Sequence, residues 1–199
     1  MPTGVAIRDA REQLFDAAER VLLRDGPDAL TSRAVTAEAG VAKGVLHRHF
    51  DDFDAFLAEF VLDRVDRMDA QAATLLQSAG TGTVVGNLSD ALTAVFGSVA
   101  VAIVPLITFR DELRARLRQA WPAGVPVLTE AVVMIASYLT AELELGRIAA
   151  DAEVDMLAPM LIGAGHLLFA DRTGAPPPPD AVRRMVNSVI AGVLRESRP

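Results

Sequence analysis

Apolar residues recur at three- and four-residue intervals along most of this chain. Leu14, Ala17, Ala18, Val21 and Leu22 share one stripe, which predicts a first helix over roughly residues 8–24. Asp25-Gly26-Pro27 ends it. Thr31 is placed to cap a short second helix running to Ala39, where Gly40 stops it. A third helix, Ala42 to His49, is too short to hold without tertiary packing. The longest stripe starts with Phe53, Phe56, Leu57, Phe60, Val61, Val65 and Met68, then continues through Ala72, Leu75 and Leu76. Capped by Asp51 or Asp52 and broken at Ser78-Ala79-Gly80, it predicts one helix of ~35 Å that joins a head to a body.

Five more helices are expected beyond it, over 84–103, 110–119, 127–147, from Asp151 or Asp155 to Ala170, and 180–195. Pro105 should end or kink the first, and Gly174 to Pro179 forms an extended spacer before the last. No segment alternates with period two. The fold class is therefore all-α, with about nine helices. A three-helix helix–turn–helix head is expected over residues 1–50, and a helical body over residues 51–199.

Composition narrows the function. The 199 residues are 51% hydrophobic and 23% charged, with a net charge of −7. Residues 1–50 carry equal numbers of acidic and basic side chains, so the whole deficit lies in the body and the head is free to approach a polyanion. There is no cysteine, which excludes disulfides, thiol catalysis and thiolate metal sites. No metal or cofactor is expected. The start has no signal-peptide core, and the apolar run from Val95 to Phe109 is too short and too interrupted to span a membrane. A cytoplasmic protein with no membrane partner is the expectation. Glu142 and Glu144 diverge on a helix, and Asp151, Glu153 and Asp155 read as helix-start residues, so no enzymatic constellation emerges.

The segment Thr31 to Phe50, TSRAVTAEAGVAKGVLHRHF, carries the most information. Two short helices about a tight turn at Gly40 place the second in a DNA major groove. Val35, Ala39, Val41 and Leu46 are spaced to pack inward, leaving Lys43, Val45, His47 and Arg48 to point elsewhere. Lys43 is the sole lysine of the chain. Gly44 costs about 1 kcal/mol within a helix and makes sense where a backbone must come close to something, such as a phosphate strand. His49, beside Phe50, reads either as a packing residue at the corner or as a DNA contact. Arg110, Arg114 and Arg118 share one face, either a solvated surface or an anion patch.

In order and spacing this stretch resembles the DNA-binding head of the TetR family of bacterial transcriptional regulators. Thr31, Val35, Ala39-Gly40-Val41, Lys43-Gly44-Val45-Leu46 and His49-Phe50 match its pattern. The resemblance implies DNA contacts from Thr31, Ser32, Arg33, Ala42, Lys43, Gly44, Val45, His47 and Arg48. Four positions depart from it. Ala42 replaces a capping Ser, His47 a Tyr that contacts phosphate, Thr36 a small Ala, and Phe53 a Lys that meets the DNA backbone.

A head this small gains affinity by pairing, so a homodimer on a double-stranded operator is expected, released by a small-molecule effector. The expected dimer residues are Leu157, Leu161, Gly163, Ala164, Gly165, Leu168, Met185, Val186, Val189 and Ile190. Large or adaptable residues are expected around the effector: Phe96, Val99, Ile103, Phe109, Trp121, Met134, Tyr138, Met160, His166 and Phe169. The segments Val84–Phe109 and Pro126–Leu145 contain no cation, which favours an apolar or aromatic guest over an anion. A pocket reached by two of the nearby arginines would reverse that. The competing reading is a helical protein-interaction module without sequence-specific DNA binding.

Overall fold

The computed structural model describes residues 5–97, 99–170 and 176–195. These residues form eleven α-helices: α1 (Val5–Asp25), α2 (Ser32–Glu38), α3 (Gly44–His49), α4 (Phe53–Asp66), α5 (Met68–Gln77), α6 (Val84–Phe96), α7 (Ala100–Thr108), α8 (Asp111–Ala120), α9 (Pro126–Glu144), α10 (Val154–Phe169) and α11 (Pro179–Ile190). A single 3₁₀ turn, Pro27–Ala29, separates α1 from α2. Eleven replaces nine because two expected long helices are each broken once. The stripe from Phe53 to Leu76 divides at Arg67, whose φ −67° and ψ −18° lie close to 3₁₀ values. The helix begun at Val84 divides at Gly97 rather than at Pro105, which lies inside α7. The Gly97 amide donates to the Thr93 carbonyl at 2.8 Å, and a Cβ there would meet that oxygen at 2.6 Å. Gly174 and Ala175 of the expected spacer lie outside the described residues.

The chain divides into two compact units. The first takes in the chain up to Arg64 with Ala102–Pro126, and the second Val65–Val101 with the chain from Val127 onward. The first unit is centred on apolar residues of α1 and α4, with Leu14, Leu22, Phe56, Leu57, Phe60 and Val61 fully buried. Phe15, Phe50, Phe56 and Phe60 form one aromatic cluster, with Phe15 within 6.1 Å of each of the other three. Asp52 caps α4 by accepting from the Ala55 amide at 2.8 Å. Arg64 is buried, its guanidinium 5.1 Å from the Phe60 ring, and pairs with Asp16, Glu19 and Asp63. That grip ties the end of α4 to α1.

In the second unit α6, α10 and α11 pack together through Leu88, Leu92, Leu161, Val182, Val186 and Ile190. α9 is long and apolar enough by composition to cross a membrane, yet 44% of that stretch is buried within the protein. Ala131, Ile135, Tyr138 and Leu139 make it a core helix. α11 stops at Ile190 rather than reaching residue 195, because the chain after it turns to pair with another strand-like segment. Leu194 forms an isolated antiparallel bridge with Ile148, and the Ala149 amide donates to the Val193 carbonyl at 2.7 Å.

Candidate nucleic-acid interface and effector cavity

The α2–α3 corner is built from short-range interactions. Thr31 Oγ1 accepts from the Ala34 amide at 3.2 Å and caps α2. Gly40 has φ +67°, its amide donates to Ala37, and the Val41 amide donates to Thr36. Those two bonds make a Schellman motif that reverses the chain toward α3, and only glycine adopts that conformation without strain. Thr36 fits where the family has Ala because its hydroxyl donates back to the Ser32 carbonyl at 2.9 Å. No side chain caps α3, as Ala42 implies.

α1 holds this corner from behind. Gln13 donates to the Ala39 carbonyl at 3.0 Å, while Arg20 and Arg24 pair with Glu38 at 2.8 and 2.9 Å. Hydrogen bonds from Arg20 and then Arg24 hold the Glu38 carboxyl below its usual range. A carboxyl depressed in the folded state adds stability that is present above its unfolded value and lost as pH falls through the folded one. The stability difference between wild type and Glu38→Gln should therefore shrink from about pH 6 to about pH 3, as followed by thermal melts. A difference independent of pH would show that the clasp adds nothing.

The face left over is open. Thr31, Arg33, Ala42, Lys43, Gly44, His47 and Arg48 are exposed, Ser32 and Val45 half-buried, while Val35, Ala39, Leu46 and Phe50 turn inward. The nine residues expected at DNA thus lie on α2, on α3 or at their starts, all with some exposure. His49 is half-buried. Its carbonyl accepts from Arg11 at 3.3 Å, and the Arg11 guanidinium lies 4.5 Å from the Phe50 ring. The His49 ring stands edge-on to Phe50, centroids 6.5 Å apart. Phe53, standing in place of a lysine, has the Arg110 guanidinium 5.5 Å from its ring, and Arg110 pairs with Asp54 at 2.9 Å. Arg114 pairs with Asp111, so Arg110 and Arg114 of the expected arginine patch are neutralised locally, and Arg116 pairs with Asp52.

The second unit contains a half-open cavity of about 470 Å³, within the usual range for small-ligand sites. Ala70, Leu75, Ala91, Ala94 and Met134 supply its apolar lining. Gln71, Thr74, Ser78, Asn87 and Asp90 supply the polar groups. Of the ten residues expected around an effector, only Met134 reaches this cavity. Phe96 instead packs on Phe169, ring centroids 5.7 Å apart, and lies 6.2 Å from His166. Val99 is buried, and Tyr138 is fully enclosed by a polar network. Met160 is 52% exposed on α10. Ile103, Phe109 and Trp121 belong to the first unit, with Ile103 in its core and Phe109 83% exposed. Large side chains fill space, so the hollow forms where helices present alanines.

A smaller cleft of about 190 Å³ in the first unit is reached by Arg114, Arg118 and Trp121. It is smaller than a typical ligand site. Arg114 there already donates to the Thr108 carbonyl and pairs with Asp111. The larger cavity is lined by no cation among the described residues.

The expected dimer residues divide. Leu157, Leu161, Gly165, Val186 and Ile190 are buried within their own unit, and a Cβ on Gly165 would lie 2.5 Å from the Phe96 ring. Ala164, Leu168, Met185 and Val189 are half-buried, and Gly163 is exposed with open space above it. The apolar face that α10 leaves uncovered is one residue away from the expected stripe: Met156, Met160, Gly163 and Leu167. Met156 is 56% and Leu167 77% exposed.

An exposed recognition-type helix behind a Schellman turn, with eleven α-helices among the described residues, defines a helix–turn–helix head on a helical body. Residues 14–60 match the model of the family described as bacterial regulatory proteins, tetR family. That match spans the head and the first part of α4, so this region is similar to the DNA-binding head of that family. The fold of the chain is shared with a TetR-family regulator from Rhodococcus sp., at 18% identity and a TM-score of 0.70, covering 94% of this chain and 100% of that one. E. coli NemR in its reduced form aligns at 16% identity and a TM-score of 0.72, over 91% and 97% of the two chains. Bacillus subtilis FadR, solved with stearoyl-CoA, aligns at 18% identity and a TM-score of 0.62, over 90% and 95%. No curated protein sequence matches the chain.

Proposed function

We propose that the chain is a repressor that binds an inverted-repeat operator as a two-fold dimer and leaves it when a small, mostly apolar effector occupies the cavity of the second unit. The observation that carries the reading is the open α3 face, where Lys43, Gly44, His47 and Arg48 are all exposed above a corner fixed by Gln13, Arg20 and Arg24. Thr31, Ser32, Ala42 and Val45 extend that face, with Arg33 beside them. Selection of duplexes from random DNA tests it, and an enriched palindrome is the expected result. Failure to enrich any site would favour a helical protein-interaction module instead.

The dimer is proposed to close over the exposed α10 face. Gly163→Trp should shift the mass seen by light scattering from twice 21.1 kDa toward the single-chain value, with little change in melting temperature. Gly165→Leu should do the reverse, costing about 1–3 kcal/mol of stability through its clash with Phe96. If wild type runs as a single chain at micromolar concentration, the dimer reading is wrong.

A further inference from the structure

We infer that the cavity of the second unit selects an effector that carries a protonated amine; the inference rests on that cavity being the effector site. Two helix faces form it. On α6, Asn87, Asp90, Ala91 and Ala94 fall at i, i+3, i+4 and i+7, and Ala70 and Thr74 of α5 with its C-cap Ser78 fall at i, i+4 and i+8, so each set lines one side. The hydrogen-bond inventory of these residues is one-sided.

Thr74 Oγ1 donates to the Ala70 carbonyl at 2.8 Å, and Ser78 Oγ donates to the Leu75 carbonyl at 2.7 Å. A hydroxyl has one proton, so both present only lone pairs to a guest. Asn87 Nδ2 lies within 3.1 Å of three acceptors, the Ser78 and Thr81 carbonyls and the Tyr138 hydroxyl, so its two protons are already committed. Asp90 is a carboxylate with acceptor capacity alone, and it forms no ion pair among the described residues. Gln71 is the single lining side chain with an amide donor that has no assigned partner. Among the described residues the cavity is rich in acceptors, contains one negative charge and has no cation.

A guest that donates hydrogen bonds and carries positive charge satisfies these groups. A carboxylate, phosphate or acyl-CoA guest meets like charge at Asp90 with no compensating group. The remaining wall, Leu75, Ala91, Ala94 and Met134, suits an apolar or aromatic body on that amine. A compact arylalkyl monoamine meets both requirements.

Three probes with one body test the assignment: diphenylpropylamine, diphenylpropanol and diphenylpropanoate, titrated calorimetrically into the full-length protein at neutral pH. The amine should bind at least ten-fold more tightly than the alcohol, and the propanoate most weakly. Asp90→Asn, at an exposed position, should retain the fold and bring amine and alcohol to equal affinity. Ala94→Phe, which fills the cavity from an exposed position, should weaken all three. Equal binding of amine and alcohol to wild type, or an amine preference that survives Asp90→Asn, overturns the charge assignment. Binding that survives Ala94→Phe unchanged overturns the cavity itself as the site. No binding of the amine to wild type overturns the inference.

Discussion

Arg147→Ala is expected to destabilise the protein by about 3–5 kcal/mol, the penalty for leaving a buried charge without its partner. Glu142 is fully buried within the second unit. Its carboxylate accepts from the Tyr138 hydroxyl and lies 3.3 Å from Arg147, which also donates to the Thr81 and Gly82 carbonyls at 3.2 and 2.7 Å. Arg147 thus neutralises Glu142 and satisfies the carbonyls of the turn between α5 and α6. Burial first, and then the hydrogen bond to Glu142, pushes the Tyr138 hydroxyl up from its ordinary pKa, so it stays a donor at all physiological pH. Adding Glu142→Gln to Arg147→Ala should recover more than half of the loss. The neutral amide still accepts from Tyr138 but carries no charge to leave stranded. Urea denaturation of the three proteins measures this. A loss under about 1 kcal/mol in the single variant would mean that water reaches Glu142 and replaces the arginine.

The same network shows why the head could be read from the residue order while the cavity could not. The α2–α3 corner depends on contacts a few residues apart: Thr31 to Ala34, Gly40 to Ala37, Val41 to Thr36. Each has a residue type that announces it, so the order of residues carries the geometry. The cavity depends on which faces of α5 and α6 are not filled, and its walls are alanines and ordinary polar residues. Asn87 and Asp90, the amide and the one charge on α6, are the available signal. The large side chains Phe96 and Phe169 instead pack on each other.

The proposed dimer face shows a related limit. α10 is apolar on most sides, with Leu157, Leu161 and Phe169 on one face and Met156, Met160 and Leu167 on another. Periodicity finds both stripes, but only the position of α6 and α11 decides which is covered. Leu157, Leu161 and Gly165 lie on the covered one, and Gly163 lies on the open one. The breaks at Arg67 and Gly97 escaped notice for the opposite reason, since the apolar pattern runs on through Arg67 and no proline marks either place.

Gly44 gives the sharpest functional expectation. It lies at the first turn of α3 with a helical backbone, and a Cβ there would meet nothing within 4 Å. Nothing in the chain itself requires glycine at that position. Helix propensity opposes it by about 1 kcal/mol relative to Ala. The proposed function supplies an external requirement, a nucleic-acid backbone against Gly44 beside the exposed Lys43, His47 and Arg48. Gly44→Ala should therefore raise stability by about 0.5–1 kcal/mol. Gly44→Leu, also a good helix former, should melt no lower than wild type yet lose at least about ten-fold in operator affinity, as ~1.4 kcal/mol of steric conflict would produce. Lys43→Ala should lose a similar factor at moderate salt. Its salt dependence then sorts the contact, since loss of a phosphate partner lowers the slope by about one ion and loss of a base partner relaxes the preferred sequence. Binding of the Gly44→Leu protein to the operator as tightly as wild type would place the DNA against another surface than α3.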